Sequence, residues 1–155
     1  MDRQEMERLF RTHREAEARQ DYDDIIDTFT EDCYLDTVPL GLRAEGREAA
    51  RSAYVGYFTA FPDLTPDDQG VAFGEDAMVA WGFLRGTSGG DWFGVQPSGR
   101  PFAVPFTNIA RFADGLMAGE SVYFDLATLC EQAALPLGEI RAAAKALAAA
   151  TAQAS

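Results

Sequence analysis

The stretch "VPFTNIARFADGLMAGESVYFDLATL", residues 104–129, decides the fold. Apolar residues flank Asp114-Gly115, a dipeptide suited to the two-residue reversal of a β-hairpin. If those two residues are the whole loop, Ala113 pairs with Leu116, and the ladder continues through Asn108–Ser121, Phe106–Tyr123 and Val104–Asp125. Opposed residues point to the same side of a sheet. Asn108, Ser121, Tyr123 and Asp125 then share a face with Phe102, Val104, Phe106 and Phe112, while Glu120, Val122 and Phe124 lie on the other. The register is the sensitive step, because a three-residue loop would set Glu120, not Ser121, across from Asn108. Asp125 has a second reading, as the N-cap of a helix that begins at "LATL".

The rest of the chain fits one domain, residues 1–150, with 151–155 as a flexible tail. Its 155 residues suffice for a single core, and 47% apolar and 12% aromatic content are globular values. The N-terminus is charged throughout and holds no apolar leader, so a cytoplasmic location is expected. The net charge of −12 disfavours nucleic acid and anionic lipid, both of which need a cationic surface. It leaves a small hydrophobic molecule as the natural partner. Cys33 and Cys130 stand apart without ligand spacing and the chain has one histidine, so no metal site is expected and the cysteines read as reduced, buried thiols.

Helices come first. Met6, Leu9, Phe10, His13 and Ala16 recur at helical spacing, Asp21 caps a short helix with Ile25 and Ile26 inside, and a third helix runs from about Arg47 to Phe61. "CYLDTV" reads as a strand. The period then changes to two, with strands near 65–73, 77–87, 101–113 and 116–125, and short helices follow Asp125 and Pro136. Helices followed by a meander indicate an α+β fold, in which an antiparallel sheet covered on one face can leave a cavity beneath the helices.

With these residues in view, the chain resembles the SnoaL-like polyketide cyclases of the NTF2-like superfamily. The resemblance is carried by "ARQDYDDIIDTFTEDCYLDTVPLGLRAEGREAARSAYVGYFTAFPDL" (18–64), "DWFGVQPSGRPFAVPFTNIARFADG" (91–115) and "YFDLATLCEQAAL" (123–135). It implies a conical barrel around a deep pocket, a homodimer formed through the sheet, and an aldol cyclisation that needs neither metal nor organic cofactor. It also implies a last-strand aspartate as acid/base, a place that Asp125 occupies in "YFD". The related ketosteroid isomerases match it at His13 and Asn108, but their general base falls at Thr37, beside Asp36.

The expected function is therefore that of a cofactor-independent enzyme acting on a small hydrophobic carbonyl compound. Asp125 would remove and return the proton, Asn108 would donate its amide NH2 to the enolate oxygen, and His13 would assist from the helix above. Thr37, Tyr57, Trp81, Phe106, Trp92 and Tyr123 would line the cavity. The alternatives are another enzyme of this superfamily, such as a double-bond isomerase or an epoxide hydrolase drawing on Arg85 or on Arg111, which falls on the face opposite Asn108, or a non-catalytic module that binds a hydrophobic metabolite.

Overall fold

The computed structural model describes residues 1–154. Helix α1 (Arg3–Arg19) starts at a capping box in which Asp2 and Glu5 satisfy each other's backbone N–H groups. It turns Met6, Phe10, His13, Ala16 and Glu17 inward. Asp21 caps α2 (Tyr22–Asp27), as its residue type predicts, and buries Ile25 and Ile26. After β1 (Phe29–Thr37), a single 3-10 turn and β2 (Leu42–Glu45), helix α3 (Arg47–Ala60) packs Ala50, Tyr54 and Phe58 into the core.

The meander follows as β3 (Thr65–Phe73), β4 (Ala77–Thr87), β5 (Pro101–Ala113) and β6 (Leu116–Phe124). The strands form one open sheet in the order β2-β1-β6-β5-β4-β3. β1 pairs with β6 in parallel, and the neighbours within the meander are antiparallel. The fold is α+β, with helices over one face of the sheet. Two short-range expectations were too narrow. β2 was not anticipated, and the last helix α5 (Leu137–Ala154) has 18 residues, so positions 151–154 continue a helix where a tail was expected. Among the described residues no helix is long and apolar enough to cross a membrane.

The hairpin is where sequence and structure part. Asp114 and Gly115 form the reversal, both at positive φ, and Ala113 pairs with Leu116 as expected. Beyond Phe112–Met117, however, the ladder shifts and Arg111 pairs with Gly119, so one extra residue sits in β6. A bulge of this kind turns every later side chain to the opposite face. Asn108 therefore faces Val122 rather than Ser121, and Ala110 faces Glu120. Glu120, Val122 and Phe124 point inward beside Asn108, while Ser121 and Tyr123 point out. Gly119 permits the shift, since a Cβ there would lie 2.4 Å from the Tyr34 ring on β1.

Gly119→Ala should therefore lower stability by about 1–3 kcal/mol, the usual cost of forcing a side chain into filled space. Urea unfolding of the two proteins side by side checks this, and an unchanged midpoint would show that the Tyr34 contact is not limiting.

Candidate functional site

Beneath α1 and α3 the concave side of the sheet encloses a cavity of about 90 Å³. Its walls are mainly apolar, with Phe58, Phe61, Phe102, Phe106, Trp92 and Leu129 among them. The polar groups are few and come from three elements: Arg14 and Glu17 on α1, Tyr54 and Tyr57 on α3, and Thr37, Asn108 and Glu120 on the sheet. Trp92 is buried against the Phe61 ring at 4.9 Å between centroids, in a turn where Phe93 and Gly94 have positive φ. Thr37 and Tyr57 are hydrogen-bonded through their hydroxyls. Both residues, with Leu35 and Trp92, also line an outer cleft of about 770 Å³ beside α5.

At the closed end, ionisable groups meet out of water. The Tyr54 hydroxyl donates to Glu120 Oε1 at 2.5 Å and lies 3.1 Å from Glu17 Oε1 and from His13 Nε2. Asn108 Nδ2 donates to Glu120 Oε2 at 2.6 Å. Arg14 donates to Glu17 at 2.7 Å and to Asp68 at 3.1 Å.

Hydrogen-bond bookkeeping fixes the charge on His13. Thr28 gives its hydroxyl proton to the Ile25 carbonyl, so at the 2.8 Å contact with His13 Nδ1 it can only accept. Tyr54 directs its proton to a carboxylate, so its oxygen accepts from Nε2. Both ring nitrogens therefore donate, and His13 is an imidazolium. Burial alone would push its pKa down, but Glu17 first and then Glu120 more than offset that, and it is pushed up to about 9. For Glu17, burial favours the neutral acid, but the charges of Arg14 and His13 outweigh it and hold the carboxyl well below the usual range. Glu120 is likewise desolvated, but the His13 ring, 3.7 Å from its Oε1, lowers it.

His13, Glu17 and Glu120 bring ligand atoms within 4.8 Å of one another, the spacing of a metal centre. The Tyr54 hydroxyl already occupies the space between them, and two cations balance the two carboxylates. The residues fit an ionic network better than an ion site.

A family model described as SnoaL-like polyketide cyclase matches residues 7–133. The chain belongs to the SnoaL-like polyketide cyclase family. Among solved structures it is similar to a provisionally assigned SnoaL-like polyketide cyclase from Jannaschia sp. CCS1, at 26% identity over 88% of this chain and 99% of that one, with a TM-score of 0.76. A provisionally assigned polyketide cyclase from Xanthomonas campestris pv. campestris shares 22% identity over 84% and 98% of the two chains, TM-score 0.77. A protein of ketosteroid isomerase-like fold from Catenulispora acidiphila DSM 44928, solved in complex with trimethylamine, shares 16% over 84% and 95%, TM-score 0.72. No curated protein matches the chain.

For this SnoaL-like chain, the expected site residues divide. Asn108, Phe106, Thr37, Tyr57 and Trp92 line the cavity. His13 is fully buried behind it and does not line it. Asp125 is not in the cavity. It is exposed at the N-cap of α4 (Leu126–Gln132), where it accepts from the Thr128 hydroxyl and backbone N–H, contacts that lower its pKa. The bulge in β6 is the reason, since it turns odd-numbered residues there outward. Tyr123 is 43% exposed for the same reason, and Trp81 is 44% exposed on the outer face of β4. Asp36 binds Arg43 and Ser121 away from the cavity, and Arg85 and Arg111 pair with Asp67 and Asp76 at the surface. What the sequence left unseen is Arg14, Glu17, Tyr54 and Glu120. Glycine inside β6 was the available signal, because an isolated Gly in a strand often marks a bulge. Glu17, one turn after His13, was the other.

The raised pKa of His13 has a defined consequence for stability. Its contribution is complete below the ordinary value of 6.5 and is lost as pH rises through about 9. The melting temperature should fall across that interval, and His13→Gln should flatten the fall while lowering stability at pH 6. An equal slope in both proteins would remove His13 as its source.

Proposed function

We propose that the protein is a cofactor-independent enzyme for a small hydrophobic carbonyl compound, with an aldol cyclase-like reaction in which Glu120 is the acid/base. One observation supports this most: Glu120 is a carboxylate 1% exposed in the wall of an apolar cavity, with each oxygen held by one hydrogen bond. A carboxylate oxygen has two lone pairs, so each keeps one for a substrate proton. Glu120 removes a proton alpha to the carbonyl, and that site is already acidic where two carbonyls flank it. The resulting carboxylic acid then returns the proton to the alkoxide formed on ring closure. Tyr54, Asn108 and His13 orient Glu120, and the His13 charge keeps it ionised before substrate enters. Glu120 thus takes the role first expected of Asp125.

A second reading, epoxide hydrolysis, draws on the Arg14 guanidinium held between Glu17 and Asp68, an acid–arginine–acid arrangement of which Arg14 and Glu17 line the cavity. It predicts turnover of a small cyclic epoxide, which the cyclase reading does not.

We also propose a homodimer. On the outer sheet face Trp81, Thr107 and Tyr123 stand in one row, with Val79, Ile109 and Ser121 in the next. Two large exposed aromatics at its centre suit burial against a second copy.

Deuterium exchange alpha to the carbonyl of 1-tetralone, followed by NMR in D2O, tests the base. The wild type should accelerate exchange, Glu120→Gln should lose about 100-fold or more, and Asp125→Asn should stay near wild type. Full activity in Glu120→Gln would place the base elsewhere. Separately, the double variant Trp81→Glu/Tyr123→Glu should sediment as a monomer where the parent sediments as a dimer.

A further inference from the structure

Among the described residues, three buried side-chain polar atoms have no hydrogen-bond partner in the protein: Arg14 Nη2, Thr30 Oγ1 and Asn108 Oδ1. Such atoms are uncommon, because each is costly to seal from water unpaired. Two of the three belong to residues that line the same cavity.

Their chemistry is complementary and fixed. An ionised carboxylate only accepts, so the Asn108 amide must turn its nitrogen toward Glu120 and present its carbonyl oxygen elsewhere. This reverses the role first expected of Asn108, which was to donate to the substrate. Arg14 is equally constrained. Its Nε is bound to Asp68 and its Nη1 to Glu17, while its plane lies over the Phe10 ring at 4.5 Å, leaving Nη2 with donors only. Two residues that line the cavity thus leave one charged donor and one neutral acceptor unpaired, and Asn108 is bonded directly to the Glu120 carboxylate.

We infer that Arg14 and Asn108 form a subsite for an enolic or phenolic hydroxyl: Nη2 donates to the hydroxyl oxygen, and Asn108 Oδ1 accepts a hydrogen bond from its O–H. A simple ketone or an ether satisfies only the donor. A 1,3-dicarbonyl held as its enol, or a phenol, satisfies both. This rests on the reading of the cavity as the substrate site and narrows the substrate class to enols and phenols. The about 90 Å³ of the inner cavity is below the roughly 150 Å³ that accommodates benzene. That volume houses only the polar head, and Thr37 and Tyr57, which the inner cavity shares with the outer cleft, mark the side on which the apolar body would lie.

The test compares 4-ethylphenol, 4-ethylanisole and ethylbenzene by calorimetry, with Trp92 fluorescence as a second readout. The phenol should bind at least about tenfold more tightly than the ether or the hydrocarbon, since a ligand lacking the O–H leaves a buried acceptor unpaired. In Arg14→Lys, which keeps a cation for Glu17 without the fork, the ratio of phenol to ether affinity should fall to within about threefold. Equal binding of phenol and ether by the wild type, as when an ordered water satisfies both atoms, overturns the subsite. So does an undiminished ratio in Arg14→Lys, or no binding by any of the three compounds. The wild-type comparison stands even where the variant does not fold. Binding is measured without turnover, so Glu120→Gln can defeat the proposed reaction while the hydroxyl preference persists, and the reverse can also occur.

Discussion

Two carboxylates, Glu17 and Glu120, are held out of water within reach of one imidazolium and one guanidinium, and the organisation of the site depends on that balance. An isolated buried carboxylate would take up a proton rather than bear its desolvation. Here each charge has an opposite partner, and the Tyr54 hydroxyl joins Glu17, Glu120 and His13 in one set of contacts. The network links α1, α3 and the sheet, so the same bonds that seat the helices also fix the polar groups of the cavity wall. If His13 were neutral, the two acids would face Arg14 alone.

The apolar remainder of the cavity makes these groups potent. With aromatic walls excluding water, a hydrogen bond to a developing oxyanion is worth more than at the surface, and the Arg14 charge is screened less. The cavity is also small and shares the Thr37–Tyr57 pair with a larger outer cleft. This separates two tasks. In the proposed reaction the inner chamber takes the reacting oxygen and carbon, while the cleft beside α5 has room for the body of a ligand. Membership of the SnoaL-like family agrees with such a layout, but the carboxylate that lines the cavity in this chain, Glu120, stands five residues before Asp125, the place that the family pattern points to.

The fold was largely legible because it follows from local signals. Helical spacing over Met6–Ala16, the Asp21 cap, the change to period two after residue 65 and Asp114-Gly115 each act within a few residues, and the described elements follow them closely. β2 escaped because a four-residue edge strand has too little pattern to register. The site was less legible. Asn108, Phe106, Thr37, Tyr57 and Trp92 were expected in the cavity and line it, whereas no local signal singled out Tyr54 within its helix.

What the chain determined alone was the order of its elements, the position of the hairpin, the capping capacity of Asp125 and the presence of one histidine on an inward stripe. Only the tertiary structure decided which carboxylate faces the cavity. The side-chain period of a strand is two, so one extra residue between Phe112 and Arg111's partners exchanges the inner and outer sets. That extra residue depends on Gly119 packing against Tyr34 of β1, which lies 85 positions earlier in the sequence and outside the hairpin, a contact set by the parallel pairing of β1 with β6. Local propensity cannot encode such a shift, because both registers satisfy the same turn.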